Sequence, residues 1–164
     1  MPAVSNTSPI LNLAIVGHLS CLHRQFEHVS IPLAVRDELR VEEDLPGCHA
    51  VREAIAAGWL RVEEARNHAL VSVLQRELDT GEAEAIALAV QQGAEVVLMD
   101  EREGRRIAKS LGLKVAGVLG ILLRAKHEGH LESVHSALAQ LQAQVGFRIA
   151  PDLLAHVLRE AGEG

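Results

Sequence analysis

The chain reads as an α/β protein built on a mainly parallel sheet, and three observations predict this. Helical and strand signals alternate along its length, as βα units require. One short apolar run, Val96-Val97-Leu98-Met99, lacks the polar alternation of a half-solvated strand and so reads as a strand buried on both faces. That run stops at Asp100-Glu101 and passes into an Arg-rich helix, which puts carboxylates beyond a strand's carboxyl end, where open α/β sheets bind ligands.

The elements follow in order. Ala3 to Ser5 is a short first strand, after which Ser8 suits a helix N-cap and Pro9 the first helical position. A second strand over His28 to Ile31 meets Pro32, and Leu33, Val35 and Leu39 mark a helix that carries Asp37 and Glu38. Glu42 to Gly47 is an acidic loop. A helix over Cys48 to Ala57 stops at Gly58, and Trp59 to Val62 forms a third strand. Asp79-Thr80-Gly81-Glu82 opens a helix whose apolar stripe is Ala83, Ile86, Ala87 and Val90, with Gly93 at its end. The strand at Val96 to Met99 and a helix over Arg102 to Leu111 lead to a fifth strand at Lys114 to Ala116. Helices over Leu119 to Glu128 and Leu131 to Val145, then one starting at Pro151, complete the chain.

With 164 residues, 48% of them hydrophobic, the chain is long enough to bury about two thirds of its unfolded surface. It is expected to form one domain over residues 1–164, with the helices beyond about 130 packing on it or at a dimer interface. No repeat or low-complexity tract divides it. Neither a membrane span nor a signal peptide is visible, so a cytoplasmic protein is expected. Cys21 and Cys48 have no partner at metal-ligand spacing and read as structural thiols. His127 and His130, with Gly129 between them and no third ligand, read as surface histidines.

A net charge of −6 argues against binding nucleic acid by bulk electrostatics. Aromatic residues make up 2% of the chain, which excludes a broad base-stacking platform. A role on nucleic acid must therefore rest on acidic chemistry. If the first and fourth strands are neighbours, Asn6 and Asp100 emerge at one carboxyl edge, and Glu38 and Glu82 come near them. Such oxygen ligands suit Mg²⁺ or Mn²⁺, which would polarise a phosphodiester and activate a water. Each residue also has a plainer role: Glu82 favours a helix N-terminus, Asp100 caps the helix that follows it, and Glu38 lies on a solvated face. Arg102, Arg105, Arg106 and Lys109 share one helix face beside Asp100, either to grip a phosphate backbone or as a solvated face balanced by Glu101 and Glu103. The histidines lie in no nucleophile setting, so a hydrolase triad has no support.

The motifs Val4-Ser5-Asn6-Thr7-Ser8-Pro9-Ile10, Ile31-Pro32 with Val35 and Glu38-Leu39, Asp79-Thr80-Gly81-Glu82-Ala83-Glu84-Ala85-Ile86, and Leu98-Met99-Asp100-Glu101 with Arg105 and Ala108 resemble a PIN domain. The similarity runs from the first strand to about Phe147. It implies a three-layer α/β/α sandwich and a Mg²⁺- or Mn²⁺-dependent ribonuclease acting on RNA, often the toxin paired with a small antitoxin and often a homodimer. It places the metal ligands at Asn6, Glu38, Glu82 and Asp100, with Glu38, Glu82 and Asp100 catalytic and Glu84 and Glu101 as nearby substitutes. Thr7 or Ser8 would orient a ligand or water. Asn6 departs from the pattern, which has an aspartate there; an amide oxygen can ligate a cation but brings no charge and no base. The alternative readings are a PIN-fold binding or regulatory module without catalysis and, more distantly, a receiver-like protein that accepts phosphate on Asp100.

Overall fold

The computed structural model describes residues 2–164. Five strands, β1 (Ala3–Ser5), β2 (Val29–Ile31), β3 (Leu60–Val62), β4 (Val96–Leu98) and β5 (Lys114–Ala116), form one sheet in the order β3-β2-β1-β4-β5. Every pairing is parallel, and β1 lies beside β4 with Ala3 opposite Val96 and Ser5 opposite Leu98. The chain builds outward from β1 to β3, then crosses back to β4 and β5. Right-handed crossovers run in opposite directions therefore put their helices on opposite faces, and the reversal leaves a crevice between the carboxyl ends of β1 and β4.

The period of two along each strand divides the core accordingly. Ala3, Val29, Ile31, Leu60, Val96 and Leu98 face one apolar cluster, with α1 (Thr7–Ile15), α2 (Ser20–Gln25), α4 (Cys48–Ala57), α8 (Val118–His127), α9 (Val134–Val145) and α10 (Pro151–Glu160). Val4, Val97 and Met99 face the other, with α5 (His68–Leu74), α6 (Thr80–Gln92) and α7 (Arg102–Ser110). The remaining helix, α3 (Leu33–Leu39), packs against both α1 and α6. This is the α/β/α sandwich expected. Helices α9 and α10 pack on α8, and α9 also on α1. Among the described residues no helix is long and apolar enough to cross a membrane. Both cysteines are buried and free.

Three local expectations need correction. The first helix starts at Thr7 with Asn6 as N-cap, so Ser8 lies inside it. The Ser8 hydroxyl is donated to Glu101 instead of taking a helix amide. Helix α9 starts at Val134, not Leu131, because Ser133 caps it by accepting the Ser136 amide at 3.0 Å. Leu131 is buried outside the helix, and its apolarity extended the pattern past the true start. Helices α2 and α5 were not expected at all; with six and seven residues they are too short to display a period.

Glu163 secures the last segment. Its carboxylate accepts the amides of Val134 (2.8 Å) and His135 (3.0 Å) and the Ser133 hydroxyl (3.2 Å), with Lys126 Nζ at 3.3 Å. Its side chain is 15% exposed. Burial alone would raise its pKa, but these donors outweigh burial and hold it at about 2. The stability so gained is present above about pH 4.5 and is lost as pH falls toward 2. Glu163→Ala is expected to cost about 1.5–3 kcal/mol at pH 7, lowering the melting temperature by roughly 3–10 °C in calorimetry. A melt unchanged at pH 7 would refute the clamp.

Candidate functional site

The crevice at the carboxyl edge collects side chains from four elements. β1 ends in Ser5, and the next residue, Asn6, is buried with its backbone extended at the start of α1. Its amide nitrogen Nδ2 donates to Glu101 Oε2 at 2.8 Å, just beyond β4, and Ser8 Oγ donates to Glu101 Oε1 at 2.7 Å. The Nδ2 bond fixes which way the Asn6 amide points, since a flip would set its oxygen against a carboxylate. Asn6 Oδ1 is therefore left buried with no hydrogen-bond partner.

From α3, Glu38 accepts the Thr7 hydroxyl at 3.1 Å. From the first turn of α6, Glu82 follows Asp79, whose Oδ1 accepts the Glu82 amide at 2.8 Å as N-cap. Gly81 leaves room for Glu38: a Cβ there would displace Glu38 Oε1 from its present position. Gly104 of α7 leaves room for Met99 Sδ in the same way, with Glu82 Oε2 3.5 Å from where its Cβ would stand. Two small residues thus let α6 approach Glu38 of α3, and α7 approach Met99 beside Glu82.

Asp100 occupies the other side of the crevice. Its Oδ1 accepts the Val118 amide at 3.0 Å and so caps α8, not the helix α7 that directly follows it. Its Oδ2 is buried without a partner. Arg105 comes close, donating Nη1 to the Met99 carbonyl at 3.0 Å. A Cβ on Gly117 would lie 2.5 Å from Asp100 Oδ1 and 3.0 Å from Arg105 Nη1, so this corner too depends on a missing side chain.

The electrostatics divide the carboxylates into two sets bridged by Glu101. Burial, then the charge and hydrogen bond of Asp79, then Glu101 and Glu38 push the Glu82 carboxyl up to about 7. Burial raises Glu38 as well, opposed by the Thr7 hydrogen bond and reinforced by Asp79, Glu101 and Glu84. Burial raises Asp100, with the Val118 amide and Arg105 opposing it and Glu101 adding to it. Among the described residues no three His, Cys, Asp or Glu side chains stand close enough to hold a metal by themselves.

Not every expected residue joins this cluster. Glu84 instead accepts the Ala34 amide at the start of α3, at 3.1 Å, tying α3 to α6. Arg102, Arg106 and Lys109 are exposed on α7, and Arg106 pairs with Glu103 (2.9 Å) and Glu77 (3.5 Å). Of that basic face only Arg105 turns into the crevice. Glu101, expected only as a substitute, is the common neighbour of Asn6, Ser8, Glu38, Glu82 and Asp100. Its position directly after Asp100 was the available signal, but two adjacent acidic residues do not say which one faces inward.

The donor set fits a hard divalent cation. Asn6 Oδ1 and Asp100 Oδ2 are oxygen acceptors withheld from water without a hydrogen bond, an arrangement that costs free energy unless a cation or donor meets them. The raised carboxyls of Glu38, Glu82 and Asp100 are due first to burial and then to neighbouring carboxylates, and a cation would relieve both costs. A parallel α/β/α sandwich with an acidic crevice at its switch point places the ligand site of this α/β protein at the carboxyl edge of its sheet. The chain belongs to the PIN-domain family, whose model matches residues 2–163. PIN domains are nuclease-type proteins in general and generally use divalent metals. No curated protein and no solved structure matches the chain.

The raised Glu82 pKa gives stability a pH dependence with a definite sign. The folded chain keeps a proton that the unfolded chain releases near 4.5, so metal-free stability falls as pH rises from about 4.5 to about 7. Glu82→Gln removes that slope. Allowing for solvent screening of a partly exposed group, the variant is expected to be more stable at pH 8 by on the order of 1–2 kcal/mol. That is roughly 2–8 °C in a melt in chelator. A difference between variant and wild type that does not grow between pH 4.5 and 8 would refute the assignment.

Proposed function

We propose that this protein is a divalent-metal-dependent endoribonuclease that hydrolyses RNA phosphodiesters, acting as a single cytoplasmic domain. The observation that carries this reading is the pair of buried, partnerless oxygens, Asn6 Oδ1 and Asp100 Oδ2, among carboxyls raised by burial and mutual repulsion. Asn6 and Asp100 would hold Mg²⁺ or Mn²⁺, and Glu38 and Glu82, which do not stand within reach of one ion together with Asp100, would act on it through bound water. The cation would neutralise charge on the scissile phosphate.

The chain's own groups do the remaining work. Glu82, titrating near neutrality, is suited to take a proton from water and return one to the leaving oxygen. Thr7 and Ser8 hold Glu38 and Glu101 in place. Arg105 sets a positive charge beside Asp100, where a phosphate would enter, while Arg102, Arg106 and Lys109 offer outer contacts to the RNA backbone. A toxin role with a small antitoxin partner, and a homodimer, belong to the same reading.

One observation favours a second reading, a PIN-fold binding or regulatory module without catalysis. The Asn6 amide already satisfies Glu101 and relieves repulsion there without a metal. The test is a Mn²⁺ titration by calorimetry, paired with cleavage of labelled single-stranded RNA. Binding and cleavage together support the nuclease. Folded protein that neither binds Mn²⁺ nor cleaves favours the module.

A further inference from the structure

Beside the carboxylates runs a groove of about 710 Å³, most of whose lining has no role in the site described above. Asp100, Glu101 and Arg105 form its inner end. Beyond them its walls are Val115, Gly117, Leu119, Phe147, Arg148 and Leu153, so its outer part is apolar and cationic and contains no carboxylate. The size is that of a small-ligand site, and the composition is opposite in sign to the crevice it joins.

The local fold explains why Phe147 and Arg148 are there. Helix α9 ends at Gly146, whose φ of 67° lies in the left-handed region, and the Phe147 amide returns to the Leu141 carbonyl at 3.2 Å. This helix-terminating turn brings the segment before Pro151 back over the carboxyl end of β5 and the start of α8. Phe147 is half-buried, its other contacts being with the core cluster, while Arg148 is exposed and makes no ion pair among the described residues. Leu153, on α10, is 45% exposed although it is large and apolar. An unpaired guanidinium beside one aromatic ring and two leucines is a combination that receives a nucleotide: cation to phosphate, ring and aliphatic surface to base.

We propose that this groove is the subsite for the nucleotide adjoining the scissile phosphate, its base lying against Phe147 between Leu119 and Leu153 and its phosphate on Arg148. The inference rests on the RNA-cleaving reading above and adds the residues that position the strand. One ring is enough for one base, so the low aromatic content does not oppose it. Because Arg105 and Arg148 both line the groove, a single strand lying in it meets two positive charges, with its next phosphate at the carboxylates.

The test is the affinity of the full chain for a labelled single-stranded hexaribonucleotide, by fluorescence anisotropy in Ca²⁺, which neutralises the carboxylates, followed by cleavage kinetics in Mn²⁺. Phe147→Leu keeps apolar volume and removes the stacking face; it is expected to weaken binding roughly 5- to 10-fold. Arg148→Gln is expected to weaken it by a similar factor and to reduce the salt slope by about one phosphate contact. In kinetics both variants should raise KM more than they lower kcat. Wild-type binding that both variants reproduce overturns the subsite and leaves the nuclease reading standing. Variant-sensitive binding without any cleavage upholds Phe147 and Arg148 as a nucleotide site and overturns the nuclease reading, and with it the place of that site beside a scissile phosphate. RNA affinity unchanged while both variants alter self-association in sedimentation would make the groove an interface between two copies and overturn the proposal.

Discussion

Asp100→Asn is expected to reduce divalent-dependent RNA cleavage by at least about 10²-fold while leaving the fold intact. The size follows from what is removed: one negative charge that would hold the cation against the reacting phosphate in a site partly withheld from water, of the order of 3–4 kcal/mol. The fold survives because Asn is nearly isosteric and its oxygen can keep the Val118 amide bond that caps α8. Ionised Asp100 is disfavoured by burial and by Glu101, so a neutral amide relieves those costs while giving up the Arg105 attraction. Net stability should change by less than about 1 kcal/mol, within roughly 4 °C in a melt. Single-turnover cleavage with Mn²⁺, alongside that melt, checks both parts. A variant that cleaves like wild type removes Asp100 from the chemistry.

Asn6→Asp acts in the opposite sense on the same crevice. In the metal-free protein it exchanges the 2.8 Å Asn6–Glu101 hydrogen bond for two carboxylates at contact. At an effective dielectric near 20 that repulsion is on the order of 4 kcal/mol, reduced to about 2–4 kcal/mol because one member of the pair can hold a proton. The melting temperature should fall by roughly 4–15 °C at pH 8, with the loss shrinking toward pH 5 as the pair shares a proton. A divalent cation reverses the sign. The new charge then faces the cation, and Mn²⁺ affinity should tighten at least about tenfold, restoring the melting temperature in proportion to occupancy. Calorimetry and melts with and without Mn²⁺ measure both effects. A variant destabilised equally in chelator and in Mn²⁺ would show that the crevice does not hold a cation.

The two variants together separate the readings of this PIN domain. Mn²⁺ binding lost in Asp100→Asn and gained in Asn6→Asp puts both residues in one cation site. Binding seen only in Asn6→Asp means that the fold kept its crevice and gave up its charge. In that case the amide of Asn6, which quiets Glu101 without a metal, is the residue that converted a nuclease fold into a module.

All five strands were legible in the chain because each is a short run bounded by turn residues, apolar in β4 and mixed in β3 and β5, and Asn6 and Asp100, beyond the ends of β1 and β4, could be placed at one edge once the sheet was parallel. The same local signals misassigned Ser8. As a residue type it is a good N-cap, but its hydroxyl serves Glu101, 93 positions further along, and a long-range carboxylate outbids a local amide. Asp100 capping α8, and not the helix it begins, is a contact across 18 positions that no capping rule would select. The four basic residues of α7 share a helix face by periodicity, yet only Arg105 turns inward, because Glu103 and Glu77 lie close enough to hold Arg106 outside.

By itself the sequence determined the strands and their order along the chain, the longer helices, the parallel sheet, the family and the carboxyl edge as the place to look, since these depend on local apolar runs, breaker residues and spaced motifs. Only the tertiary structure decided which acidic residue joins the others, which oxygens are left without partners, and that Phe147 and Arg148 return to the same crevice. Those outcomes depend on distances between residues far apart in the chain and on two glycines, Gly81 and Gly117, whose missing side chains leave the space that Glu38 and Asp100 occupy. Local propensity is read along the chain, whereas desolvation and charge repulsion act through space and become defined only when the helices have closed.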